Sequence, residues 1–255
     1  MVPRSRASLA TLISRAAVLT GASLLLGQPA WSVSADAAAL STQLQLALNA
    51  DDNVEALSAL MDPEQAATLL DSFRRFSSRF PETRWRVSPG EAMADGRPTV
   101  KLAVTGTRQQ DGLSYSFRAH QRLAFSTAAG LITGQEVLSD QSVLTSARKP
   151  LPISLMIPDT VLTGSRYDVD VVVDEPLGKA LLAGGLTAVS QEQVLAQKSP
   201  IIQLAPLGGG GLFKLVQAPF QPGVQTWAAL LVHPDGVITV SKQVQVVDDR
   251  QQLTP

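Results

Sequence analysis

The chain contains no cysteine and only two histidines, His120 and His233. Without cysteine it has no disulfide, no thiol nucleophile, no thiolate metal ligand and no acceptor for the lipid of a bacterial lipoprotein. Two histidines are too few for a multi-histidine zinc site. The sequence therefore predicts no metal and no other cofactor, and any core must be stabilised by apolar burial alone.

The chain also lacks an excess of positive charge, with 21 Lys and Arg residues against 22 Asp and Glu residues. Three of the arginines, and no acidic residue, lie in the first 35 positions. The rest of the chain therefore carries 18 basic and 22 acidic residues, a net charge of −4 (18 − 22). A surface of that sign predicts neither a nucleic-acid partner nor binding to an anionic membrane.

Residues 1–35 have the pattern of a cleaved signal peptide. Arg4, Arg6 and Arg15 form a basic head, residues 16–26 are a short apolar run, and Val33-Ser34-Ala35 places small residues where a signal peptidase cleaves. The apolar run is about half of the ~20 residues that a membrane-spanning helix needs. We therefore expect export to the periplasm or the exterior, with a membrane involved only during export.

Residues 37–80 have helical periodicity in three segments. The third segment has the clearest boundaries, because Asp62 can cap it, Pro63 suits its first turn and Pro81 ends it. Gln65 is placed to close a capping box with Asp62. Leu69, Leu70, Phe73, Phe76 and Phe80 are expected on its buried face.

From Thr83 the periodicity changes to two, which predicts strands. Four extended runs are separated by turn sequences, and cover residues 84–87, 99–108, 113–125 and 131–144. Helices followed by a meander of long strands are typical of an α+β domain.

The element order, the strand lengths and the aromatic helix Phe73-Arg74-Arg75-Phe76 resemble the nuclear transport factor 2-like superfamily, which includes ketosteroid isomerases and polyketide cyclases. The resemblance covers residues 36–146. It implies three N-terminal helices packed on a curved antiparallel sheet, a cone with a pocket at its wide end.

Residues 147–152 contain Pro150 and Pro152 and are interpreted as a linker. The following residues, 153–248, have seven short extended runs and frequent turns, which favours an all-β sandwich. Three stretches of it, Tyr167 to Val173, Pro222-Gly223 with Trp227, and Val237 to Val247, resemble a bacterial immunoglobulin-like domain. Residues 249–255 are predicted to be a disordered tail.

The pocket implied by the cone would be lined by aromatic side chains and would take a small apolar ligand. Tyr115 could donate a hydrogen bond to a bound carbonyl, with Glu136 as a neighbouring base. That pair would suit an isomerase or cyclase. The alternative is a core tyrosine without a chemical role. The candidate pocket residues are Phe73, Phe76, Trp85, Tyr115, Phe117 and Glu136.

His120 is the natural candidate for a general base. In a strand, however, it shares a face with Arg118 and Arg122, opposite Tyr115 and Phe117. We therefore expect Arg118, His120 and Arg122 on the outer face of the sheet, where they could form a homodimer interface.

Two further charged clusters have structural explanations. The densest basic patch, Arg74, Arg75, Arg79, Arg84 and Arg86, could receive an anionic ligand or an acidic partner. Asp71 lies at helical ion-pair spacing from Arg74 and Arg75, which favours a solvated helix face instead. Asp168 and Asp170 alternate with apolar residues as in any sandwich strand, and no calcium-loop spacing is present. No catalytic motif remains. The sequence favours an exported, non-catalytic binding or scaffolding protein of the cell envelope, with a protein partner or a small apolar ligand. The alternative is a small-molecule-binding protein or isomerase-type enzyme.

Overall fold

The computed structural model describes residues 30–110, 112–147, 151–175, 180–196, 198–208 and 210–253, except for the side chains of residues 30–35, 68 and 195. The predicted signal peptide lies outside the described residues, apart from the backbone of residues 30–35. Half of the predicted linker, residues 148–150, also lies outside them.

The described residues contain four α-helices and one short 3-10 helix. The helices are α1 (Ala30–Leu48), α2 (Asn53–Ser58), α3 (Pro63–Arg79) and α4 (Gln191–Leu195), and the 3-10 helix is Arg250–Gln252. The first three confirm the predicted helical segments. α4 was not predicted.

Local signals explain the limits of α3. The Asp62 carboxylate accepts a hydrogen bond from the Glu64 N–H, and Pro63 occupies the first turn, where its missing N–H leaves no bond unmade. The helix ends before Phe80, and Pro81 follows. The predicted cap and stop are therefore confirmed, although the side chain of Asp62 binds Glu64 and not Gln65.

Fourteen strands are present among the described residues, and the four long strands of the first half confirm the predicted runs. They are β1 (Glu82–Pro89), β2 (Thr99–Gln110), β3 (Leu113–Ala128), β4 (Leu131–Ala147), β5 (Ile153–Met156), β6 (Thr160–Leu162), β7 (Arg166–Asp168), β8 (Asp170–Val173), β9 (Leu182–Val189), β10 (Ala205–Leu207), β11 (Gly211–Leu212), β12 (Leu215–Gln217), β13 (Gly223–His233) and β14 (Gly236–Val247).

Most strands belong to one large sheet. Its order is β1-β2-β3-β4-β14-β13-β9-β10, and β6 pairs in parallel with β14. Two smaller sheets, β11-β8-β5 and β12-β7, complete the described strands. By contact density the chain divides into two compact units. Among the described residues, the first unit comprises residues 30–106 and 119–138, and the second comprises residues 107–118 and those from 139 onward.

The prediction of a nuclear transport factor 2-like cone followed by a separate immunoglobulin-like sandwich is wrong. β4 is one strand of 17 residues, and its last seven residues pair in antiparallel register with β14. The large sheet therefore does not end where the first predicted domain ends. Alternation of apolar and polar residues specifies the two faces of a strand but not its partner, so the sequence alone could not reveal this pairing.

The first unit has an aromatic core between α3 and β1. The Phe73 ring lies 5.6 Å from the Trp85 ring, and the Phe76 ring meets Trp85 edge-on at 5.4 Å. Phe80 stacks on Phe76. Each of these side chains is less than one-tenth exposed, so this cluster joins α3 to the sheet by apolar burial.

The second unit has two apolar clusters. One surrounds Tyr167, Val169, Trp227 and Val244. The other joins Val171 and Val173 of β8 to Leu231, Ile238 and Val240 of β13 and β14, among others. Val169, Val171 and Val244 are fully buried. Without disulfides, these clusters supply the apolar burial that stabilises the unit.

Candidate functional site

The first unit contains an apolar cavity of about 60 Å³. Thirteen apolar side chains line it, contributed by α1, α2, Met61 in the connection after α2, the middle of α3, and strands β1 to β3. Only two lining residues are polar, Gln121 of β3 and Gln135 of β4. The cavity therefore offers burial to an apolar group, with two amide side chains in its wall.

Backbone pairing holds one wall of this cavity in place. Ile132, at the start of β4, donates its N–H to Leu60 O at 2.9 Å and accepts from Asp62 N at 2.8 Å. These bonds tie the connection between α2 and α3 to the sheet, next to the lining residue Met61. The cavity wall is thus built from groups that are fixed by regular hydrogen bonds.

Gln135 is the unusual member of the lining. Its Nε2 atom is buried and has no hydrogen-bond partner among the described residues. Most buried polar groups in proteins are hydrogen-bonded, and an unpaired one carries a free-energy cost of about 1–3 kcal/mol. Gln135 therefore presents an unused donor at the wall of an apolar cavity.

The cavity differs from the active-site pocket that the isomerase hypothesis requires. Ligand pockets for drug-sized molecules usually have volumes of roughly 300–1,000 Å³, whereas this cavity holds about 60 Å³. No carboxylate belongs to its described lining. A carboxylate base facing a bound carbonyl is thus not part of this wall.

Of the six predicted pocket residues, the structure brings Phe73 and Trp85 to the cavity wall. Phe76 is buried against Trp85 and Phe80 but does not line the cavity. Tyr115 and Phe117 are buried in the second unit. The guanidinium of Arg108 lies 4.8 Å from the centre of the Tyr115 ring, so a cation covers this ring.

Glu136, the proposed base, forms an ion pair. Its Oε2 lies 2.7 Å from a terminal nitrogen of Arg97, whose Nε lies 2.6 Å from Asp95 Oδ2. Burial alone would lower the pKa of Arg97, but the hydrogen bonds and charges of Glu136 and Asp95 outweigh it, and the pKa is raised. Glu136 is therefore the ion-pair partner of Arg97. This structural role does not involve base catalysis.

The residues predicted for the outer face lie where the alternation placed them. Arg118 and His120 are exposed and Arg122 is half-buried, whereas Phe117, Ala119 and Gln121 between them are buried. The face prediction is confirmed for this strand. The imidazole of His120 is thus directed away from the buried side of β3.

Sequence reasoning missed the two polar residues of the cavity. Gln121 has the parity of the buried residues Ala119 and Leu123, so the alternation contained the signal. Gln135 gave a mixed signal, because it has the parity of the buried Val137 but also of the half-buried Leu131 and Thr133. Ile132 is buried, yet Gln135, three positions later, lines the cavity. Strict alternation does not apply between them, which is why Glu136 was placed on the inner face.

The other candidate chemistries find no support in the described part of the chain. It contains no cluster of three or more potential metal ligands. Asp168 is exposed, and Asp170 accepts a hydrogen bond from the Lys214 N–H at 3.2 Å. Asp71 forms an exposed ion pair with Arg75 at 2.6 Å, which confirms the solvated helix face. No helix in the described ranges is long and apolar enough to cross a membrane.

Residues 148–247 match a family model described as a domain of unknown function (DUF8623). No curated protein shows significant similarity to the chain.

Proposed function

We propose that this chain is an exported, non-catalytic binding or scaffolding protein of the cell envelope. We further propose that the cavity of its first unit receives a small apolar group that carries one hydrogen-bond acceptor. The signal-peptide pattern of residues 1–35 supports export. The single observation that supports the ligand is the unpaired, buried Nε2 of Gln135 in an apolar wall.

The chemistry of the wall defines the ligand class. An acceptor oxygen on the ligand would pair with the Gln135 amide and remove the cost of leaving that donor unmatched. The apolar side chains around it would favour a hydrocarbon body. Since a cavity volume of about 10–15 Å³ is enough to hold one water molecule, a cavity of about 60 Å³ suits a group of only a few heavy atoms. A small ketone, or the carbonyl-bearing end of a longer molecule, meets all three requirements.

Two probes separate the apolar from the polar contribution. Xenon reports on apolar volume, and acetone adds one carbonyl acceptor. Both can be titrated into the protein and followed by the chemical shifts of the methyl groups of the lining residues Leu44, Leu57 and Leu123. We expect acetone to bind in the cavity and to displace xenon from it.

Gln135→Met tests the role of the amide, because it removes the donor and keeps a side chain of similar length. We expect acetone affinity to fall about fivefold to tenfold, as for the loss of one net hydrogen bond, with xenon affinity unchanged. Gln110→Met, on an exposed residue of β2, is the matched control and should bind both probes like the wild type. Equal acetone affinity in Gln135→Met and wild type would contradict the proposal, as would perturbed methyl shifts confined to the surface.

Export is tested separately with the full-length chain expressed in a Gram-negative host. We expect the periplasmic fraction to contain a protein that begins at Asp36, as determined by mass spectrometry. An unprocessed protein retained in the cytosol would refute the export proposal and leave the ligand proposal to its own test.

A further inference from the structure

The pairing of β2 with β3 places Lys101 directly opposite Arg122. Near one end of the strand pair, the backbone N–H of Phe125 donates to Pro98 O at 3.0 Å. Near the other end, the side-chain Nε2 of Gln109 donates to the hydroxyl of Ser114 at 3.0 Å. Counting inward from either end gives the same register, so no bulge intervenes. Lys101 and Arg122 form one cross-strand pair, and Ala103 faces His120 in another.

The pairing of β1 with β2 continues these rows. Gly90 donates its N–H to Thr99 O at 2.8 Å, which sets Ser88 opposite Lys101 and Arg86 opposite Ala103. The close approach of Thr83 to Gly106 fits the same register. One row across three strands is therefore Ser88-Lys101-Arg122, and the next is Arg86-Ala103-His120. Arg84 lies two positions before Arg86 on the same face.

These rows form a face that is rich in positive charge, which we call the basic sheet face: Arg84, Arg86, Lys101, His120 and Arg122. Arg84, Arg86, Lys101 and His120 are exposed and Arg122 is half-buried. None of the five takes part in an ion pair within the described residues, while Glu136, on the neighbouring strand β4, is already engaged by Arg97. Like charges directly opposite each other, as at Lys101 and Arg122, destabilise a sheet. The fold thus concentrates five basic side chains on one surface of a chain that is acidic overall, with Glu82, two positions before Arg84, as an exposed carboxylate on the same face.

We propose that the basic sheet face docks an acidic, extended polypeptide segment of a partner protein. Three of the four permanent cations are arginines, whose planar guanidinium groups bind carboxylates with two parallel hydrogen bonds. Along one strand, side chains on the same face repeat every second residue. A partner segment with acidic residues at alternate positions would present its carboxylates at this same spacing. The positive charge of the face and the two-residue repeat of its side chains together define the partner as an acidic segment in extended conformation.

Other occupants fit this face less well. A second copy placed by two-fold symmetry would bring two basic faces together, and an isologous contact requires self-complementarity. An anionic membrane usually recruits proteins through apolar insertion as well as charge. The rows hold only Ser88 and Ala103 besides the cations, and Leu46 on α1 is the one large apolar side chain that is strongly exposed in the described part of this unit.

The test measures binding of a fluorescein-labelled peptide of alternating glutamate and threonine by fluorescence anisotropy. The same peptide with glutamine for glutamate is the charge control. We expect the acidic peptide to bind, the glutamine peptide not to bind, and the affinity to fall as salt is raised. Lys101→Glu should weaken binding on the order of tenfold, because attraction becomes repulsion, and Lys101→Arg should retain it.

Arg74→Glu is the matched control, since it makes the same charge change at an exposed position on α3, away from the basic sheet face. It should leave peptide affinity within about twofold of wild type because its charge is screened over distance. Lys101→Glu also creates an opposite-charge pair with Arg122, so its thermal unfolding temperature should not fall, and lost binding cannot be assigned to misfolding. An equal loss in Arg74→Glu would overturn the proposal. Tighter binding of single-stranded DNA or of anionic vesicles than of the peptide would also overturn it, as would salt-sensitive dimers that Lys101→Glu abolishes.

Discussion

The side-chain amide of Asn49 pairs with both backbone groups of Trp85. Its Oδ1 accepts from the Trp85 N–H at 3.1 Å, and its Nδ2 donates to Trp85 O at 2.9 Å. One turn earlier in α1, Gln45 Oε1 accepts from the Val87 N–H at 2.8 Å. β1 is the terminal strand of the large sheet, and these backbone groups point away from β2. Helix α1 therefore satisfies an edge that would otherwise be open to pairing with another chain.

Replacing Asn49 by alanine removes two of these bonds. We expect Asn49→Ala to lower the free energy of unfolding by about 1–2 kcal/mol, because each net hydrogen bond contributes about 1 kcal/mol. Urea denaturation followed by circular dichroism measures the loss. Gln43→Ala, at an exposed position of the same helix, should change stability by less than about 0.5 kcal/mol. Equal losses in the two variants would show that the Asn49–Trp85 pairing does not stabilise the fold.

The ion pair between Lys242 and Asp159 predicts an asymmetric response to mutation. The side chain of Lys242 is 7% exposed, whereas that of Asp159 is 35% exposed. Asp159→Ala leaves a buried ammonium without a partner, which should cost about 3 kcal/mol, while Lys242→Met leaves a carboxylate that water can reach and should cost about 1 kcal/mol. The double variant should be more stable than Asp159→Ala alone. Urea denaturation of the three variants measures this order, and a larger loss in Lys242→Met than in Asp159→Ala would contradict it.

Tyr167 predicts a loss of stability at alkaline pH. Burial raises its pKa above the ordinary value of 10.0, and the hydrogen bond from Trp227 Nε1 at 2.9 Å lowers it by less. The folded state thus holds the phenol proton more tightly than the unfolded state. The resulting stability is present below about pH 10 and is lost as pH rises through the raised pKa.

Two measurements check this prediction. Between about pH 9 and pH 11, the free energy of unfolding of the wild type should fall more steeply than that of Tyr167→Phe. Because the chain has two tyrosines, the tyrosinate absorbance of Tyr115→Phe follows Tyr167 alone and should show a transition above pH 10. A transition at or below the ordinary value would rule out the raised pKa.

Several features of the fold follow from short stretches of sequence. The Asp62-Pro63 start of α3 and the turns between the long strands require only neighbouring residues, so their prediction succeeded. The outward position of His120 followed from the geometry of a single strand. α4 also has a local signal, the capping box of Ser190 and Gln193. Its five residues are too few for a recognisable helical period, which explains why it was missed.

The candidate sites required more than local information. Gln135 lines the cavity although Ile132, of the opposite parity in the same strand, is buried, so alternation alone could not show which residues of β4 meet the wall. The basic sheet face combines residues from three strands. The sequence around Lys101 or Arg122 does not indicate that the two residues are cross-strand neighbours. The burial of many individual side chains could be predicted from the sequence, but which side chains lie next to each other could not.

The sequence by itself determined the limits of α3, the approximate positions of the other two N-terminal helices and of the four long strands, and which side of β3 is buried, because capping, turn geometry and strand alternation act over a few residues. Only the tertiary structure decided which strands are neighbours. The hydroxyl oxygens of Ser142 in β4 and Ser241 in β14 lie 2.7 Å apart, although the two residues are separated by 99 positions in the chain. Such a pairing depends on the packing of the whole sheet, and many registers satisfy the same alternation. For that physical reason the predicted two-domain fold was wrong although most of its strands were right.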